Sequence, residues 1–149
     1  MSISYDAFIG AFLSKITEFD FYHMEEENRE AMVEGYLRRA VSQFQQNCKY
    51  DLVGSMNEDS RSFDVDVPDK DFDELVDIIS EGMLVQWLKP YVYRQENLEN
   101  VLNTADFTTY SPAELLYRVG NAYKKAQEDY TQMIREYSFA HGNLGNLHL

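Results

Sequence analysis

From Leu115 to Tyr137 apolar side chains recur three and four residues apart without a break: Leu115, Leu116, Val119, Ala122, Tyr123, Ala126, Tyr130, Met133, Ile134 and Tyr137. That spacing lines one face of a helix, whereas a half-buried strand would alternate with a period of two. Upstream, Ser111, Pro112, Ala113 and Glu114 combine a capping box with proline at the first helical position, so the helix start is marked as well. The pattern predicts a helix running to about Ser138, roughly seven turns or about 40 Å. A helix with one long apolar stripe is stable only against other apolar faces, so the remainder of the chain has to supply them.

Three further segments do so. Phe8, Ile9, Phe12, Leu13 and Ile16 predict a helix over Tyr5 to Phe19, with Ser4 or Asp6 as its cap. After a polar break from Asp20 to Glu26, the series Val33, Tyr36, Leu37, Ala40, Val41, Phe44 and Cys48 predicts a second helix over Glu27 to Cys48. Its early Glu25, Glu26 and Glu27 and later Arg38 and Arg39 suit the helix dipole. Pro68 and Asp69 open a third, carrying Phe72, Leu75, Val76, Ile79, Met83 and Trp87 and ending at Pro90. A short helix over Tyr91 to Asn103, with Leu98, Val101 and Leu102 inward, is a fifth element.

Between the second and third helices, residues 49–68 lose the helical period and gain Gly54, Asn57, Ser60 and Ser62. Phe63, Val65 and Val67 alternate there with Ser62, Asp64 and Asp66, the pattern of a short exposed strand or arm. After Ser138 the period stops again, and the tail from Phe139 to Leu149 holds two glycines and the apolar Phe139, Leu144, Leu147 and Leu149. Such a segment either seeks another surface or folds back on its own bundle. At 149 residues the chain reads as one all-α domain over 1–138. It is a bundle of four to five helices with a long central loop (49–68, with a short strand or hairpin) and an extended C-terminal tail (139–149).

The formal net charge of -13 should repel nucleic-acid backbones, which disfavours a sequence-independent DNA grip. The imbalance is local: from Asn57 to Glu81 there are ten acids and only two bases, Arg61 and Lys70. Asp64, Asp66, Asp69, Asp71, Asp73 and Asp77 are therefore read as an acidic face, which either lines a channel that DNA passes without sticking or keeps the monomer soluble. Cys48 is the single cysteine, which excludes an internal disulfide. The N-terminus lacks a basic region before its apolar residues and no apolar run approaches 18 residues, so neither a signal peptide nor a membrane span is expected. The 11 tyrosines suit either core margins or surfaces that become buried in a complex.

Chemistry-bearing motifs are sparse. GxGxxG, a phosphate-loop lysine, HExxH and GxSxG are all missing. His23, His141 and His148 stand too far apart in sequence to form a recognisable zinc pattern with Cys48. An EF-hand loop counted from Asp69 would put Glu74 at the glycine position and Ser80 at the last ligand; counted from Asp64 it would put Asp69 and Leu75 there. No catalytic residue, metal ligand or cofactor is expected.

Over residues 73–149 the phrases DELVDIISEGMLVQWLKP, SPAELLYRVGNAYKKAQEDYTQMIREYSF and HGNLGNLHL, together with the opening SYDAFIGAFLSKITEF, resemble head-tail connector (neck) proteins of tailed bacteriophages. The resemblance implies a helical adaptor, assembled in the host cytoplasm, that docks in the virion as a ring, commonly of twelve copies, beneath the portal protein. Such a ring offers its other face to a stopper or tail protein, and genomic DNA only passes through. It implies no catalytic residue and no membrane partner. This chain is longer than the smallest adaptors. Under this reading Phe139, Leu144, Leu147 and Leu149 meet the portal, and Phe63, Val65 and Val67 meet a neighbouring subunit. Two other readings fit the composition: a tail-completion or baseplate protein, distinguished by the symmetry of its assembly, and an acidic regulator that mimics DNA, distinguished by competition with DNA for an enzyme.

Overall fold

The computed structural model describes residues 2–17, 29–93 and 112–141. Within them four α-helices, α1 (Tyr5–Ile16), α2 (Arg29–Phe44), α3 (Asp69–Tyr93) and α4 (Pro112–Ala140), form a helical bundle, as the apolar stripes predict. Three two-residue strands, β1 (Ile3–Ser4), β2 (Met56–Asn57) and β3 (Ser62–Phe63), make a small antiparallel sheet in the order β1-β3-β2. Ile3 pairs with Phe63 on one side and Met56 pairs with Phe63 on the other. The expected fifth helix lies outside the described residues beyond Tyr93, as do the predicted ends at Phe19 and Glu27.

α3 is the hub, packing against α1, α2 and α4. Every residue from Ile78 to Leu88 is buried, so this helix has no solvent face along its middle. Close approach there depends on Gly82: a Cβ built at this position would stand 2.7 Å from Cζ of Tyr130 and 2.9 Å from the Cβ of Ala40. α2 and α4 thus converge on α3 at one small residue, and Tyr130 fixes the junction by donating its hydroxyl to the carbonyl of Ala40 at 2.9 Å.

α1 begins as predicted, with the Ser4 hydroxyl accepting from the Asp6 N–H at 3.1 Å. Its Phe8 meets Phe63 and Phe72 edge-on, and its Phe12 meets Tyr36 and Trp87 in the same manner. α2 stops at Phe44 rather than Cys48, tightening into a 3₁₀ turn over Gln45–Asn47. α3 continues through Pro90, where the sequence predicts its end. Proline this close to the C-terminus sacrifices the bond to the Gln86 carbonyl, and buried Leu88 and Tyr91 hold the last turns in place.

The central loop is not an arm reaching away from the molecule. Gln45 organises its first half: the side-chain amide donates to the Tyr50 carbonyl, and its oxygen accepts from the N–H groups of Leu52 and Val53. Asp51 accepts from the Gly54 N–H, and any Cβ at Gly54 would strike that carboxylate. In the β2-β3 turn the Asn57 side chain accepts from Asp59 and Ser60. Arg61 adopts φ +51°, and its guanidinium reaches Glu34 on α2 at 2.6 Å and Asp6 on α1 at 3.3 Å. Leu52 and Phe63 are completely buried, so the loop closes one end of the core.

Candidate functional site

The acidic run divides into two populations. Asp64, Asp66, Asp69, Asp73 and Asp77 are exposed. Asp71 is not: it is 4% exposed and accepts a short hydrogen bond from the Tyr50 hydroxyl, with Lys49 Nζ 3.8 Å away. Its assignment to a solvated acidic face is therefore corrected, since the loop folds over the first turn of α3 and covers it. The Tyr50 hydrogen bond, helped by the charge of Lys49, holds the Asp71 carboxyl below the usual range despite its burial. Burial and the same partner push the Tyr50 phenol up to about 12. Glu81 is also buried, and Lys15 of α1 meets it at 2.7 Å.

Near Tyr50 and Asp71, the end of α4 is latched to the rest of the molecule. Tyr137 is fully buried against Phe44, and its hydroxyl accepts from the Lys49 N–H at 3.1 Å. Ser138 donates to the Asn47 side chain at 3.3 Å. His141 stacks on the Tyr137 ring with centroids 4.1 Å apart and places Nε2 2.7 Å from Oε1 of Glu74. Cys48 Sγ lies 3.9 Å from the Tyr137 hydroxyl, and burial pushes its thiol up, so the reactive thiolate is scarce at neutral pH. Burial likewise raises Tyr137 above the ordinary tyrosine value. These groups satisfy one another and anchor the last helical turns to the 3₁₀ turn and to α3.

The latch relocates the start of the tail. Phe139 and Ala140 belong to α4 rather than to an extended segment, and His141 is bonded into the bundle. Phe139 is 69% exposed, so it is available as a contact residue, but on a helix. Leu144, Leu147 and Leu149 lie outside the described residues. Phe63, expected on an exposed arm, instead packs edge-on against Tyr5 and Phe8 with no exposure, while Val65 and Val67 are half-buried against the same core. The alternation was real, but its apolar face points inward. Leu116, placed on the apolar stripe of α4, is exposed beside Tyr117, and among the described side chains of that helix Val119 is the first that is buried.

Sequence reasoning missed the partnership of Tyr50 with Asp71, and of His141 with Glu74. Separations of 21 and 67 residues leave no local signal. Among the described residues no group of three or more His, Cys, Asp and Glu side chains converges to hold a metal ion, and no helix is long and apolar enough to cross a membrane. The chain matches no family model, and no curated protein or solved structure is recognisably similar to it.

Proposed function

We propose that this chain is a structural, non-catalytic virion protein, a head-tail connector that forms a ring under the portal, joins the head to a stopper or tail protein and surrounds the exit path of the DNA. Its place is the neck of the particle, and it needs no cofactor. The resemblance of the sequence suggests the class, and the observation that carries the reading is the separation of charge from core. A fully packed bundle bears five exposed aspartates between Asp64 and Asp77. Carboxylates turned toward a channel repel passing phosphates, so DNA slides without being held. The latch fixes the chain through His141, and the assigned portal contact is Phe139 with the Leu144, Leu147 and Leu149 that follow in sequence.

Truncation after His141 tests this reading. It keeps the Tyr137, Ser138 and His141 contacts, which a cut after Ser138 would partly destroy. Helical circular dichroism should be unchanged and binding to portal-bearing heads lost. Full binding by the truncated chain defeats the tail's assigned role, and particle images without a ring at the neck defeat the connector reading itself. Twelve copies of a 17.4 kDa chain would give a ring of about 210 kDa.

A further inference from the structure

The exposed aspartates have a counterpart elsewhere on the same molecule. Arg38, Arg39, Ser42 and Gln43 of α2, with Gln86 and Lys89 of α3, line an open groove of about 460 Å³. Every one of these side chains can donate a hydrogen bond, and three are cationic. Arg38 is engaged at 2.6 Å by Glu58 of the β2-β3 turn, whereas Arg39 and Lys89 are exposed and have no ion-pair partner among the described residues. Gln86 lines the groove and is 4% exposed. In a chain of net charge -13, this groove gathers three cationic side chains on one surface.

We infer that the groove of Arg39, Gln86 and Lys89 receives Asp69 and Asp73 from a second copy of this chain, forming the contact between neighbours in the ring. The inference rests on the connector reading for its ring and adds the residues that build it. Asp69 and Asp73 stand one turn apart on the first turns of α3, both exposed and neither with an ion-pair partner among the described residues. Residues four apart on a helix have Cβ atoms about 6 Å from each other, so the two carboxylates form one doubly charged patch, opposite in sign to the surface that carries Arg39 and Lys89. Asp73 and Lys89 are sixteen helical positions apart, which is about 24 Å along α3. The two surfaces therefore cannot satisfy each other within one molecule. A surface that fits a different surface of an identical neighbour is heterologous, and it closes into a ring when the rotation between copies divides a full turn. Asp64, Asp66 and Asp77 remain for the channel.

The full chain, sedimented at about 0.15 M salt with and without portal-bearing heads, gives the test. Wild type should form multimers. Arg39→Glu with Lys89→Glu, and separately Asp69→Lys with Asp73→Lys, should each weaken association by at least about tenfold, as repulsion replaces attraction at two pairs. Mixing the two variants should restore it, because each then meets the opposite charge. All four positions are exposed, and the milder Arg39→Gln with Lys89→Gln should act in the same direction if the reversed variant folds poorly. Rings that form equally well in both reversed variants, or a mixture that stays dissociated, would overturn this contact while leaving the connector reading intact. A wild type that is monomeric even on heads would overturn both. Titration with inorganic phosphate is the remaining arm: saturable binding abolished by the arginine and lysine variants, without self-association, would make the groove a phosphate site and refute the inference.

Discussion

Replacing Gly82 by alanine isolates the junction on which the bundle closes. The new Cβ would stand 2.7 and 2.8 Å from Cζ and Cε1 of Tyr130 and 2.9 Å from the Cβ of Ala40, against an optimum of about 3.5 to 4.0 Å for carbon pairs. Neither neighbour yields easily. The Tyr130 ring is buried and tethered to the Ala40 carbonyl, and Ala40 itself is fully buried on α2. Overpacking of this kind costs about 1 to 3 kcal/mol, and the helical preference of alanine over glycine returns roughly 0.5 to 1 kcal/mol. The net expectation is a loss of about 1 to 2 kcal/mol in urea unfolding followed by helical circular dichroism. Gly120 on α4 and Gly10 on α1 have nothing within 4 Å of a built Cβ, so alanine at either should instead stabilise by about 0.5 to 1 kcal/mol. If Gly82→Ala proved as stable as Gly120→Ala, the three helices would not meet where this structure brings them together.

Tyr130→Phe should cost about 1 kcal/mol by the same assay, since it removes one buried hydrogen bond and little volume. Lys15→Met leaves the buried Glu81 carboxylate without its cation and should destabilise by about 2 kcal/mol, much of which Glu81→Gln in the same chain should recover; no recovery would argue against the pair. Asp71 has a folded pKa below its ordinary 3.8, so its contribution is complete above that value and disappears as pH falls through the folded pKa. Asp71→Asn should therefore lower stability at neutral pH and flatten the acid limb below about pH 4. Tyr130 and Tyr137 have raised folded values, so their contribution holds below about pH 10 and is lost as alkali ionises the unfolded chain first. Phenylalanine at both positions should blunt alkaline unfolding, and an unchanged alkaline limb would contradict their burial.

The helices were legible because their signals are local. The stripe from Val119 to Tyr137, the Ser4 cap and the proline at residue 112 each report on fewer than two turns of backbone at a time. The misplaced features all depend on groups distant in sequence. Pro90 stops an isolated helix, but Tyr91 and Leu88 bury their side chains and carry α3 past it. Alternation at Phe63, Val65 and Val67 identifies a strand without saying which face is covered, and that is decided by Tyr5 and Phe8, more than fifty residues away.

The same distinction governs the charges. Counting acids locates an excess but cannot sort it, because burial of Asp71 requires Tyr50 to donate and Lys49 to stand nearby, while exposure of Asp69 and Asp73 requires that nothing does. Once sorted, the carboxylates acquire direction: they crowd the N-terminal end of α3, and the cationic groove occupies the flank of its C-terminal half. A chain with net charge -13 would ordinarily repel its copies, yet screening at physiological salt acts beyond about 8 Å, so the sum of charge governs distant copies and the pattern governs touching ones. An acidic surface is therefore compatible with the proposed contact between copies, and if that contact forms, dispersing Arg39 and Lys89 to other exposed positions at constant net charge should abolish it where a total-charge argument expects no change.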